Sequence, residues 1–257
     1  MSRLFYLEWF STEIWIFCTK TCNRLNNQTT DHKPFIGKKE YNFATSSIKS
    51  LILKNVHKTI FTLEHPHQLI IDNVCRFIDL TELEKQKYTS LLTKIRVRKK
   101  AFLLQAGEIA RYEYFITKGC LKVYTLDKEG TPHISMFAVE DHWTGDMASF
   151  MTKAPSHYFI KATEDSELLG ISRTNYDLLF KEVPKFERFY RILYQKSLIS
   201  YIKRSNQGIS LTAEERYIEF KRKYPNIVHR ITQKDLAGYI GITPEFMSKI
   251  ISKVNRM

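Results

Sequence analysis

Two hydrophobic periods divide the chain. From Gln68 the apolar positions recur at intervals of three and four: Leu69, Ile70, Val74, Phe77 and Ile78 fall on one face of a helix. Thr81 followed by Glu84 forms a capping box, which predicts a second short helix ending near Leu92. Beyond it the period drops to two. Ile95-Arg96-Val97-Arg98 alternates and Ala101 to Leu104 is a short apolar run. Tyr112–Thr117, Leu121–Leu126, His133–Val139, Tyr158–Ala162 and Glu167–Ile171 then read as strands, punctuated by Gly107, Gly119, Gly130 and Gly145. Asp127 to Thr131 reads as a hairpin loop in which Gly130 supplies a positive φ. Many short strands at this spacing predict a β-roll, sandwich or jelly roll, and so an α+β chain.

The period returns to helical after the strands. Thr174 is expected to cap a turn, and Pro184 to open a long helix with no internal proline or glycine until Gly208. Phe186, Phe189, Tyr190, Leu193, Leu198 and Ile202 make that helix too apolar to be exposed all round. One face is expected on the strand module, with Phe189, Leu193 and the positions beyond them meeting the same helix of a second subunit. A single helix buried within one subunit is the alternative, since heptad regularity lapses at Lys196 and Ser197. Thr212 with Glu215 caps one more helix, through Tyr224 and ahead of Pro225.

The stretch Thr232–Met257 reads as a helix-turn-helix. Thr232 caps its first helix, with Asp235 completing a capping-box-like pair, while Leu236, Ala237 and Ile240 lie on the inner face. Ala237 is small where two steeply crossing helices come closest, and Gly241 takes the left-handed turn between them. Thr243 caps the second helix, Pro244 fits its first position, and Glu245 meets the positive end of the helix dipole. Met247 and Ile250 point inward. Thr243, Pro244, Glu245, Ser248, Lys249 and Ser252 are left on the outer face, which makes Thr243–Lys253 the candidate for insertion into a DNA groove.

Charge strengthens that reading. Formal net charge is +13, and the strand module contributes none of it: residues 66–180 carry 15 basic and 15 acidic side chains. Residues 203–257 carry 11 basic against 5 acidic, as a polyanion-binding end requires. The chain's 43% apolar content allows a sizeable core. Cys18, Cys22, Cys75 and Cys120 lack both a C-x-x-C pair and disulfide spacing, which fits a reducing cytoplasm. No run of roughly 18 apolar residues occurs, so no ordinary transmembrane span is expected. Residues 1–65 form an N-terminal extension of unassigned role; Leu4 to Cys18 is apolar but broken by Glu8 and Glu13, and Asn26 to Pro34 reads as a loop.

The order of parts resembles the Crp/Fnr superfamily of bacterial transcription regulators. The resemblance rests on Y-F-I-T-K-G-C-L-K-V-Y at Tyr114–Tyr124, the cassette T-G-D-M-A-S-F at Thr144–Phe150, the long helix and the terminal helix-turn-helix. It covers residues 68–257 and implies a cyclic-nucleotide-binding-like β-roll sensor over 66–180, a dimerisation helix over 181–208 and a DNA-binding domain over 209–257. It further implies a cytoplasmic homodimer on palindromic double-stranded DNA, acting with RNA polymerase and often governed by a small effector in the roll. The cassette positions implied for that effector are Gly145, Asp146, Met147 and Ala148, followed by Ser156 and His157.

This sequence departs from the family at both sites. Cyclic-nucleotide binders hold the phosphate with an arginine where Ser156 stands, and Lys153, His157 and Lys161 do not replace its bidentate fork. A cyclic nucleotide is therefore not expected, and a different ligand or none is. Four scattered cysteines do not suit an iron-sulfur cluster, nor do His133, His142 and His157 have metal-ligand spacing. In the DNA-binding helix, Pro244 and Lys249 stand where the family places arginines, so the target sequence must differ. The wing usual after that helix is expected to be missing or to lie elsewhere. Two other readings, a ligand-binding roll without sequence-specific DNA binding and a metal-dependent jelly-roll enzyme, leave the charge asymmetry or the absence of clustered ligands unaccounted for.

Overall fold

A computed structural model describes residues 67–254. The expectations for residues 1–65, including Cys18 and Cys22, lie outside the described residues.

Helix α1 (Gln68–Cys75) turns Ile70 and Val74 fully into the core. In α2 (Glu82–Ser90) both halves of the capping box form: the Glu84 amide donates to Thr81 Oγ1 at 3.3 Å and the Thr81 amide to Glu84 Oε2 at 2.8 Å. The helix stops at Ser90 because Leu92 already belongs to a strand.

Eight strands follow: β1 (Leu92–Val97), β2 (Phe102–Leu104), β3 (Tyr112–Lys118), β4 (Leu121–Leu126), β5 (Pro132–Ala138), β6 (Trp143–Thr144), β7 (Phe159–Ala162) and β8 (Ser166–Ser172). They make two antiparallel four-stranded sheets, ordered β1-β8-β3-β6 and β2-β7-β4-β5. Leu121 and Val123 point into the roll while Lys122 and Tyr124 point out of it, as a two-residue period demands. The β4–β5 register slips between Val123, which faces Met136, and Tyr124, which faces Ile134. Ser135 is the extra residue of this bulge. The slip sends Met136 and Ala138 inward and leaves Ile134 and Phe137 on the outer face.

Between the sheets and the flanking helices lies the larger core, with Phe115, Ile116, Leu121, Ile160 and Leu168 essentially inaccessible. A short α3 (Met147–Thr152) joins the sheets, and α4 (Arg173–Glu182) leaves β8. Ser172 caps α4, accepting from the Asn175 amide at 3.3 Å, in place of the expected Thr174. The long helix α5 (Lys185–Ser210) runs straight through Gly208 and ends where Leu211 turns extended. Pro184 opens it as expected, residue 181 lies within α4, and the helix continues past residue 208 to Ser210.

The first turns of α5 are spent inside the subunit. Phe186, Phe189 and Tyr190 are buried, with Trp143 against both Phe189 and Tyr190, and Leu193 packs on the same core. Phe189 is thus covered within the subunit rather than free for the expected intersubunit seam, while Leu193 is half-buried. The free apolar surface begins later, at Leu198, Ile199, Tyr201 and Ile202. Of the two cysteines among the described residues, Cys75 is exposed and Cys120 is buried.

Helices α6 (Ala213–Lys223), α7 (Gln233–Ile240) and α8 (Pro244–Val254) complete the described chain, and no strand follows Ser172 among the described residues. Their core of Tyr217, Phe220, Leu236, Ala237, Ile240, Met247 and Ile250 is continuous with Tyr124, Ile134 and Phe137 on the outer face of the roll. Each fully buried side chain of this size stabilises the contact by about 1.5–3 kcal/mol.

Three cations frame this junction. Lys122 pairs with Asp235, so the Asp235 carboxylate serves β4 rather than completing the capping box at Thr232. Arg230 reaches Glu140 at 2.7 and 3.0 Å and also Glu164. Arg204 of α5 donates to the Ser135 and Ile134 carbonyls freed by the bulge and to the Tyr239 carbonyl, its guanidinium lying 3.9 Å from the Tyr239 ring centre.

Gly238 marks the closest approach, since a Cβ there would stand 2.9 Å from the Pro132 carbonyl oxygen. Alanine in an open helix interior gains about 0.8–1 kcal/mol over glycine. Here Gly238→Ala is expected to lower the urea midpoint of the full chain, because the Cβ pushes α7 off β5; a raised midpoint would show that α7 is not seated there.

Candidate nucleic-acid interface

The helix-turn-helix geometry follows residue by residue from its sequence. Thr232 Oγ1 accepts from the Asp235 amide at 3.0 Å and starts α7. Gly241 closes it with φ +81°, and its amide returns to the Ala237 carbonyl at 2.9 Å. Thr243 Oγ1 accepts from the Phe246 amide at 3.3 Å and starts α8. Ala237 is fully buried at the crossing, where a larger side chain would separate the helices. Met247 and Ile250 are buried against Leu236 and Ile240.

The opposite face of α8 is open. Thr243, Pro244, Glu245, Ser248, Lys249 and Ser252 are all exposed. Backbone and Thr243 hydrogen bonds hold the Glu245 carboxyl below the usual carboxylate range, so it is an acceptor at neutral pH. At the far end, Lys253 pairs with Glu214 of α6 at 2.6 Å and is directed to the protein. One residue joins the face that sequence reasoning passed over. Gln233, the first residue of α7, reaches across to Ser248 Oγ at 2.8 Å and to the Pro244 carbonyl at 3.3 Å. Its only sequence signal was a polar, outward position directly after the cap.

In the roll the six cassette positions separate into two groups. Asp146 and Ser156 are buried and bonded to each other, Ser156 Oγ donating to Asp146 Oδ2 at 2.7 Å. Asp146 also caps α3 by accepting from the Ser149 amide at 3.2 Å, and Ser156 Oγ accepts from the Tyr158 amide at 2.9 Å. The backbone of Ser156 is tied to Gly107 and Glu108, each at 2.8 Å. Met147, Ala148 and His157 face outward. Gly145 lies against Glu113, whose carboxyl would stand 2.9 Å from a Cβ added there.

Glu113 itself was not foreseen as a site residue. It is buried on β3, and its Oε1 has no hydrogen-bond partner among the described residues. Burial, followed by repulsion from Asp146, pushes its carboxyl up to about 8. A lone acid within Tyr112–Ile116 was the signal in the sequence, but the position reads equally as an outward strand residue.

Residues 94–182 match the family described as the cyclic nucleotide-binding domain. The chain is 25% identical over 209 residues to the anaerobic regulatory protein of Pasteurella multocida, covering 75% of this chain and 74% of that protein. It is 25% identical over 221 residues to regulatory protein HlyX of Actinobacillus pleuropneumoniae, covering 79% and 88%. Among solved structures, the c-di-GMP responsive global regulator CLP of Xanthomonas campestris superposes with a TM-score of 0.58 at 13% identity, over 68% of this chain and 92% of that one. A transcriptional regulator of the Crp/Fnr family from Eubacterium rectale gives a TM-score of 0.57 at 16% identity, over 69% and 84%. Sequence relatives and solved structures together support a regulator of Crp/Fnr type.

The relatives support a DNA-binding transcriptional regulator, built as the sequence predicted from a β-roll, a long helix and a terminal helix-turn-helix. Among the described residues no helix is long and apolar enough to cross a membrane.

The buried Glu113 makes the stability of this regulator depend on pH with a defined sign. Its folded carboxyl is raised from 4.5 to about 8, so the folded state keeps a proton that the unfolded chain has released. Stability is unaffected by Glu113 below the ordinary carboxylate range and falls as pH rises from there through about 8. Urea midpoints measured from pH 5 to pH 9 are expected to fall more steeply for the wild type than for Glu113→Gln. Equal slopes in the two proteins would show that Glu113 does not hold its proton.

Proposed function

We propose that two copies of this regulator pair along the C-terminal half of α5 and present their α8 helices to major grooves on one face of a DNA duplex. The observation that carries this reading is the division of α8 into a buried edge at Met247 and Ile250 and an exposed edge running from Thr243 to Ser252. Glu245 can accept from cytosine N4, and Lys249 can donate to guanine or phosphate. Support for pairing comes from α5, where Leu198, Ile199, Tyr201 and Ile202 leave an apolar face open, Tyr201 being 71% exposed. A two-fold arrangement spaces the half-sites by about one DNA turn, roughly 34 Å.

The reading places the protein in the cytoplasm, with RNA polymerase as its further macromolecular partner. It also gives the roll a restricted ligand chemistry. Ser156 stands where a phosphate-binding arginine would be needed and its hydroxyl is already committed to Asp146, which argues against a cyclic nucleotide in that cradle. A small effector of another kind remains part of the proposal.

Selection of bound duplexes from a random pool is expected to enrich a palindrome. Glu245→Ala should relax the base preference at one position, and Lys249→Ala should weaken binding by about 1–3 kcal/mol. Unaltered preference and affinity in both variants would remove α8 from the interface. Light scattering at micromolar concentration is expected to give the mass of a dimer for the wild type and a smaller mass for Ile199→Glu/Ile202→Glu; a monomeric wild type would contradict the pairing.

A further inference from the structure

Glu113 and Phe115 stand two residues apart on β3 and so share one face of the sheet, with Tyr114 on the other. Phe115 marks which face that is. Its ring packs on Trp143 with 5.3 Å between centres, and Trp143 packs on Phe189 and Tyr190 of α5. Glu113 is therefore aimed toward the helices and away from the space between the two sheets.

The groups around it are aromatic rings. Tyr176 of α4 meets Tyr190 of α5 edge to face with 4.7 Å between centres, and the Tyr194 ring lies 5.8 Å from that of Tyr190. Burial raises all three hydroxyls, and the Glu113 charge raises each of them further, which puts the carboxyl among them. One acceptor in this group lacks a donor. The Tyr176 and Tyr194 hydroxyls face each other at 3.4 Å, but Glu113 Oε1 has no partner among the described residues. Arg173, whose charge reaches Tyr176 and Tyr194, is engaged elsewhere, by Asp177 at 3.0 Å and the Met151 carbonyl at 3.0 Å.

Three observations restrict what the missing donor can be. After burial, repulsion from Asp146 is the second cause that holds the Glu113 carboxyl up, and an anionic ligand would meet the same repulsion. Among the described residues no group of three or more His, Cys, Asp or Glu side chains is placed to hold a metal ion. The rings stand in contact with one another, so the ligand has to be small; Gly145, where a Cβ would come within 2.9 Å of Oε1, leaves the carboxyl uncovered on that side. An ammonium group meets all three conditions, because it carries N–H donors and a positive charge that carboxylates and aromatic rings both attract.

We propose that Glu113, set among the rings of Tyr176, Tyr190 and Tyr194, forms a binding site for a small ammonium ion, either free ammonium or a short primary amine, that donates an N–H to Oε1. The site lies on the helix side of β3 and uses none of the side chains of the cassette.

The test is thermal melting of the full chain, followed by circular dichroism, in ammonium, methylammonium, tetramethylammonium and sodium chloride at one ionic strength. Ammonium and methylammonium should raise the melting temperature above its value in sodium along a saturating curve. Whichever of the two saturates at the lower concentration tells the free ion from an alkyl amine. Tetramethylammonium, with no N–H to give, should act as sodium does. The Glu113 carboxyl, pushed up to about 8, has to release its proton as the cation binds. The half-saturation concentration should therefore fall about tenfold from pH 6 to pH 7 and level off above pH 8. Glu113→Gln should abolish both the shift and its pH dependence. The site is overturned by a shift no larger than that in sodium, by one that tetramethylammonium reproduces, by one independent of pH, or by one that folded Glu113→Gln retains. Should Glu113→Gln not fold, the wild-type pH series decides alone. None of these readouts involves DNA, so the pairing along α5 and the role of α8 stand or fall separately.

Discussion

The structure depends most on one contact: the outer face of the β4–β5 hairpin is also a wall of the core beneath the DNA-binding helices. Tyr124, Ile134 and Phe137 are strand residues of the roll, yet they pack with Phe220, Leu236 and Ala237. The bulge at Ser135 makes this possible. It shifts the side-chain alternation of β5 so that Ile134 and Phe137 share the outer face, and it frees two neighbouring carbonyls that Arg204 occupies. Since Arg204 comes from the long helix and also bonds the Tyr239 carbonyl, three elements distant in sequence meet at one guanidinium. Arginine suits this role because it presents several donors in a rigid plane and stacks on an aromatic ring, here Tyr239. A displacement in β5 would therefore be felt at α7 without passing along α5.

Local chemistry was the legible part of the sequence. Caps at Thr81, Thr212, Thr232 and Thr243, the turn at Gly241 and the alternation of β4 are each set by residues a few positions apart, and each formed as its spacing required. Contacts across long separations were not legible. Asp235 stands three residues after a capping threonine and so reads as the cap's partner, but Lys122, 113 residues away, takes its carboxylate. Phe189 fits a dimer seam by period alone. Only the position of Trp143 on β6 shows that the first turns of α5 are already covered. Periodicity reports that a face is apolar; it does not report what covers it.

The candidate site divides along the same line. The exposed set on α8 could be read from helical spacing, because a two-helix motif leaves little choice of which edge faces out. Gln233 could not be, since its role arises from the crossing of α7 over α8. In the roll, the cassette T-G-D-M-A-S-F matched by sequence, while its use was settled by a residue outside it. Glu113 stands over Gly145 and beside Asp146, which explains a glycine at a position without a positive φ: a side chain there would meet the buried carboxyl. Asp146 in turn is engaged by Ser156. Two of the cassette's polar side chains are thus committed to each other, while Met147, Ala148 and His157 stay exposed.

The charge asymmetry has a physical counterpart at the junction. The roll's formal charges balance, and two of its acids, Glu140 and Glu164, hold Arg230 at the start of the DNA-binding unit, while Lys122 holds Asp235. Burial acts to raise the Glu140 carboxyl, but the bonds from Arg230 and the Gly119 amide outweigh it and keep the carboxyl below its usual range. Some of the positive charge near the DNA-binding helices is thus neutralised by the protein, whereas Lys249 on α8 and Lys221 on α6 are exposed and make no ion pair among the described residues. Attraction to a polyanion is strongest where cations are unpaired, so pairing at the junction leaves the exposed, unpaired lysines to carry that attraction. The ion pairs at the junction then do two things at once: they hold the helices against β4 and β5, and they lower the free positive charge on the roll side of the junction.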